Sequence, residues 1–183
     1  MWSRLVLVFI SIFVLGSAFA QEKKLTLGDL GIGNEEVVGD PQLQKDLEVR
    51  SSMLRKHQTW GLVTQGLMTA ALLTGGMAKD DSNELHQYLG MATFATYWTT
   101  AYYSIFAPKP DSVKDQGQNI KWHKRLAWIH APLMILTPIA GLLASADNRH
   151  HKKSTGLAAQ KGTLGTATFV AYTLSMTLMF IEF

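Results

Sequence analysis

Four stretches of this chain carry no charged side chain: Gln58–Ala78, Gln87–Pro108, Leu126–Ala146 and Gly162–Ile181. Each has about 20 residues, the length that crosses a bilayer core of about 30 Å as a helix. Mean hydropathy is only +0.06, which alone would suit a soluble protein, but charge is gathered into the segments between the runs. A backbone inside lipid must satisfy its own hydrogen bonds, so runs of this length are expected to be helical. The predicted fold class is therefore all-α: a transmembrane four-helix bundle preceded by a signal peptide and a short polar segment. The runs are rich in Thr, Gly, Ala and Met rather than Leu and Ile. Small residues let membrane helices approach closely, so the helices are expected to pack on one another and on something held between them.

The chain is 183 residues long, enough for one domain. At its start, Arg4 precedes the apolar stretch Leu5–Gly16, and Ala18-Phe19-Ala20 offers small residues at both cleavage positions. This reads as a secretory signal peptide over residues 1–20. Residues 21–50 are polar and broken by Gly28, Gly31, Gly33, Gly39 and Pro41, and read as a mostly irregular periplasmic lead-in. Asp40 is placed to cap a helix starting near Pro41 that runs on into the first span. The transmembrane domain is expected over 51–183, with the first helix from near Met53 to Gly75-Gly76. The second runs from Asn83 to Pro108. The third contains Pro132 and Pro138 and is expected to kink. The fourth runs almost to the C-terminus. With residue 21 onward outside, the first helix runs inward and the chain is expected in a bacterial inner membrane.

The chain has no cysteine, which excludes structural disulfides, thiolate-bound metal and covalently attached haem. A net charge of +3 is too small to imply nucleic acid, and the lysines lie between the spans, where they meet headgroups. No nucleophile triad, metalloprotease helix or phosphate-binding loop is present.

A short pattern recurs at the mouths of the spans: His57-Gln-Thr-Trp-Gly61, His86-Gln-Tyr-Leu-Gly90, His123-Lys-Arg-Leu-Ala127 and Lys161-Gly-Thr-Leu-Gly165. The histidine and the small residue four places on share one helix face. Alternating topology puts His57 and His123 at one level, outside, and His86 and Lys161 at another, inside. Two level imidazoles on facing helices can hold haem iron, and a small residue beneath each ligand leaves room for the flat ring. The expected iron ligands are His57 and His123 at the outer site and His86 at the inner one. His130, two turns deeper than His123 on the same face, is the substitute for His123. Gly61, Gly90 and Ala127 are the expected ring-side positions. His150 and His151 sit in a cationic loop and read as solvated.

The segment Glu84-Leu85-His86-Gln87-Tyr88-Leu89-Gly90, leading through Trp98 to Phe106-Ala107-Pro108, is similar to the Leu-His-Ser-Trp-x-Gly helix of cytochromes b561. The resemblance covers Met53–Phe183. It implies up to two b haems, one ligated between the first and third helices and one between the second and fourth. The chain departs from the pattern at Lys161, where a histidine would complete the inner site. One haem b on the outer side is expected, with a second only if Lys161, His150 or His151 serves the inner site.

The function expected from these residues is that of a membrane b-type cytochrome, a conduit or oxidoreductase subunit rather than a self-sufficient enzyme. Its partners would be membrane lipid, a quinol or redox protein as donor, and a periplasmic acceptor. The alternative is a non-catalytic membrane scaffold that has lost one or both haems.

Overall fold

The computed structural model describes residues 40–77, 84–110 and 117–180. The predicted signal peptide, the polar lead-in through residue 39 and the Asn83 cap lie outside the described residues. The elements are α1 (Pro41–Met77), α2 (Glu84–Ile105), α3 (Gln118–Arg149), a single turn α4 (Gly156–Ala159) and α5 (Lys161–Thr177), followed by a 3-10 turn, Leu178–Phe180. Among the described residues there is no strand, so the chain is all-α as its pattern predicts.

Helix α1 starts at Pro41, whose fixed φ suits a first turn and whose missing N–H would be unpaired there anyway. Its 37 residues span about 55 Å at 1.5 Å each, well beyond a bilayer core. The excess lies at its N-terminal end, where the helix supports itself. Gln42 Nε2 donates to Asp46 Oδ1 (2.8 Å) and Arg55 donates to Ser51 Oγ (2.8 Å), both one turn apart. Gly75-Gly76 does not end the helix, which continues to Met77. Helix α3 runs unbroken through Pro132 and Pro138. It closes at His150, after which His151 takes a left-handed turn with φ 51°.

Threonine is abundant in all four long helices, and its hydroxyl is satisfied locally. Thr64, Thr69, Thr93, Thr100, Thr137 and Thr168 each donate to the carbonyl four residues back, at 2.7–2.8 Å. The donor is thereby paired before the helix packs. Several of these hydroxyls also meet a neighbouring helix: Thr64 meets Thr100 at 3.3 Å and Thr137 meets Thr168 at 2.8 Å. Among the described residues no buried side-chain nitrogen or oxygen lacks a partner.

The four long helices join in a ring. His57 and Thr64 tie α1 to α2, Tyr97 and His130 tie α2 to α3, and Thr137 and Thr168 tie α3 to α5. Gln65 Nε2 donating to Thr173 Oγ1 (3.1 Å) closes α5 onto α1. The buried interior is a mixture: Met68, Tyr97, Met134, Phe169 and Tyr172 form its apolar cluster, beside buried Thr64, Gln65, Thr93, Thr100, His130, Thr168 and Ser175. The outer faces are apolar, with Leu62, Val63, Leu72, Met91, Trp98, Trp128, Ile139, Leu142 and Leu174 all exposed. Two described helices are long and apolar enough to cross a membrane, Gln118–Arg149 and Lys161–Phe180. Thr, Gln, His and Gly lower the hydropathy of α1 and α2.

One glycine is required by a close approach. A Cβ on Gly75 would stand 2.7 Å from His86 Cε1 and 2.9 Å from its Nδ1, whereas one on Gly76 would meet nothing within 4 Å. Gly75→Ala therefore displaces an imidazole that is hydrogen-bonded to Ala71 O at 2.8 Å. Both Ala variants gain the same helix propensity, so their difference isolates this contact. Unfolding measurements should find Gly75→Ala less stable than Gly76→Ala by about 1–2 kcal/mol, the worth of the lost hydrogen bond and packing. Equal stabilities would show that His86 is not seated there.

Candidate functional site

At the end of the bundle where α1 and α3 approach, the rings of His57 and His123 stand 6.0 Å apart, centre to centre, with their planes at 90°. Both are half-buried. His57 Nδ1 lies 2.9 Å from the main-chain oxygen of Thr100 on α2. His123 Nδ1 lies 2.9 Å from the main-chain oxygen of Ser175 on α5 and 2.9 Å from the Ser175 hydroxyl. At the other end His86 repeats the arrangement, with Nδ1 2.8 Å from the carbonyl of Ala71 on α1.

These three contacts decide a proton. A carbonyl oxygen only accepts, so each bond requires the hydrogen on Nδ1. A neutral imidazole protonated at Nδ1 keeps its lone pair on Nε2. All three histidines of the sequence repeat are thus held in one tautomer, by main-chain atoms of a different helix, with Nε2 as the basic nitrogen. Metal-bound histidines are held in this way, because the second ring nitrogen donates to a fixed acceptor that orients the ring.

The spacing suits a shared metal. Two imidazoles bound through Nε2 on opposite sides of one ion, with bonds of about 2 Å, place their ring centres roughly 6 Å apart. Among the described residues there is no cluster of three or more His, Cys, Asp or Glu that could hold an ion. A pair of imidazoles suffices where a macrocycle supplies the remaining donors, as haem does. His57 and His123 would be the residues to hold such a group.

His130 differs from the other three. It is 5% exposed, and its Nδ1 lies 2.9 Å from the hydroxyl of Tyr97, a group that either donates or accepts. Its ring also meets Tyr172 edge-on at 5.2 Å. The structure thus places His130 in a buried tyrosine cluster below the His57–His123 pair. Lys161 is half-buried at the start of α5, and His150 and His151 are exposed in the turn that ends α3.

The small residues of the repeat have unequal surroundings. Gly61 is buried, and a Cβ there would stand 3.5 Å from the Tyr172 hydroxyl and 3.7 Å from Thr100 Cγ2. The space expected to admit a flat ring at Gly61 is thus met by protein side chains. Around Gly90 there is nothing within 4 Å of an added Cβ, and Gly165 faces Thr137 at 3.8 Å. Ala127 is half-buried on α3. Five residues whose part the pattern does not show support these histidines: Thr100, Ser175 and Ala71, whose carbonyls hold the rings, Gly75, which seats His86, and Tyr172. A backbone acceptor leaves no mark on the residue type that carries it, so Thr100 and Ala71 had no signal to find. Tyr172 offered one, as a hydroxyl-bearing aromatic in mid-span that must find a partner.

No match to the chain is found among family models, curated proteins or solved structures.

The tautomers can be measured directly. Ring nitrogen-15 shifts of haem-free protein at neutral pH should report Nδ1–H with a basic Nε2 for His57, His86 and His123. A dominant Nε2–H form at any of them would mean that its carbonyl contact is absent.

Proposed function

We propose that this chain is a membrane b-type cytochrome, an electron-transfer subunit that holds one haem b between α1 and α3 through His57 and His123. The observation that carries the reading is the pair of perpendicular imidazoles 6.0 Å apart, each with Nδ1 on a main-chain carbonyl. On this reading all four long helices cross a bacterial inner membrane, with the His57–His123 end on the periplasmic side. The distribution of side chains supports it. Leu62, Val63, Leu72 and Leu73 on α1, and Met91, Trp98 and Ile105 on α2, face outward like the apolar residues of α3 and α5. In the middle turns of α1 and α2 the polar residues Thr64, Gln65, Thr93 and Thr100 are buried. That distribution suits lipid around the bundle.

The chain's own residues have defined tasks. His57 and His123 would hold the haem through their Nε2 lone pairs. Thr100 and Ser175 accept the Nδ1 protons, which fixes the ring planes and strengthens the imidazoles as donors. Tyr97, Met134, Phe169 and Tyr172 pack together in the buried interior of the bundle. The haem, when bound, supplies a one-electron couple. A membrane quinol or a redox partner protein serves as donor and a periplasmic species as acceptor, with no side-chain chemistry on a substrate. His86 would then act within the protein, seated in the Gly75 notch, rather than as one of two inner ligands.

One observation favours the second reading, a membrane scaffold or accessory subunit without haem. The Tyr172 hydroxyl and Thr100 methyl already pack against Gly61 beneath His57. A visible spectrum separates the two. Detergent-purified protein, reduced with dithionite, is expected to show a low-spin b-type spectrum. Either His57→Ala or His123→Ala should abolish it, while a His150→Ala/His151→Ala protein keeps it. Colourless protein from haem-sufficient cells would sink the cytochrome reading and leave the scaffold.

A further inference from the structure

Helix α5 carries no histidine, yet it touches both ligand-bearing helices at the site. Ser175 accepts the His123 Nδ1 proton. Three residues earlier, and so on the same face, Tyr172 donates its hydroxyl to Gly61 O at 3.1 Å. Gly61 lies one turn inward from His57 on α1. Tyr172 is 5% exposed and its ring is fixed on its other sides. It stands 5.2 Å from His130 and 5.9 Å from Tyr97, which are themselves hydrogen-bonded to each other.

We propose that Tyr172 is the positioning residue of the His57–His123 pair: by tying α1 to α5 one turn below His57, it sets that imidazole level with the one Ser175 holds. Its consequence at the iron rests on the cytochrome reading, but the geometry does not. The two imidazoles sit on different helices, α1 and α3, and one face of α5 references both. A slide of α1 by one residue moves His57 by about 1.5 Å, far more than the roughly 0.2 Å a metal–nitrogen bond accommodates. The Tyr172–Gly61 bond lies close enough to His57 to suppress that slide. Thr173, the next residue of α5, bonds Gln65 one turn further from His57 and governs its level less directly.

The chain has no cysteine, so labels can be placed at will. Nitroxides on Arg55→Cys and Lys121→Cys, both exposed near the two histidines, report the α1–α3 distance in full-length protein without haem. Tyr172→Phe keeps the ring and removes one oxygen. It should raise the population at displaced distances roughly fivefold, as expected for the loss of one neutral hydrogen bond. Leu174→Ala, on the exposed face of α5, should leave the distribution as in the wild type, and Thr173→Val, which loses the bond to Gln65 one turn further away, should change it less than Tyr172→Phe. In haem-loaded protein, Tyr172→Phe should convert part of the six-coordinate low-spin spectrum to a high-spin one, and Leu174→Ala should not. An unchanged distance distribution in Tyr172→Phe would overturn the proposal. So would an equal change in Leu174→Ala, or a Tyr172→Phe protein that does not assemble, since both would mean a general structural role. Wild-type protein without haem would overturn the cytochrome reading alone, and the distances would still decide the role of Tyr172.

Discussion

Each polar side chain inside this bundle has to find its partner on the bundle itself, because the outer faces are apolar. That constraint shapes the rest of the structure. Threonine meets it locally, bonding the carbonyl one turn back. Histidine cannot, and reaches instead for a main-chain carbonyl on another helix: His57 to α2, His86 to α1 and His123 to α5. An imidazole so held is also a cross-link between helices, and it is locked in one tautomer. The bonds that assemble the bundle are therefore the same bonds that prepare three Nε2 atoms as donors.

Only two of those donors are brought together. The chain runs up and down, so His57 and His123 share one end and His86 the other. At the first end the rings meet at 6.0 Å and 90°. At the other, His86 is pressed into the notch left by Gly75 on α1. The sequence repeat treats these histidines alike, but packing separates them. His130, on the same face of α3 as His123, is drawn into a cluster with Tyr97 and Tyr172.

The helices were legible because their signal is long. Runs of about 20 uncharged residues leave few alternatives, and the placement of Asp40-Pro41 marked where α1 begins. The histidine repeat was legible too, since one helical turn fixes which residues share a face. What the pattern missed are contacts whose cause lies in a different helix. Gly75 read as a helix end, yet its smallness serves His86 on α2. Gly61 read as a gap for a ring, yet Tyr172 of α5 and Thr100 of α2 approach it. Thr100 and Ser175 carried no signal, because a carbonyl oxygen belongs to every residue and its role appears only once helices are placed side by side.

On the cytochrome reading, one haem belongs to His57 and His123. Titrating haem into haem-free protein and counting the equivalents that give a low-spin spectrum tests it most directly. A ratio near one, unchanged in His86→Ala and lost in His57→Ala, is expected if this pair holds the haem. A ratio near two that falls to one in His86→Ala would contradict it, as would a protein that takes up no haem at all.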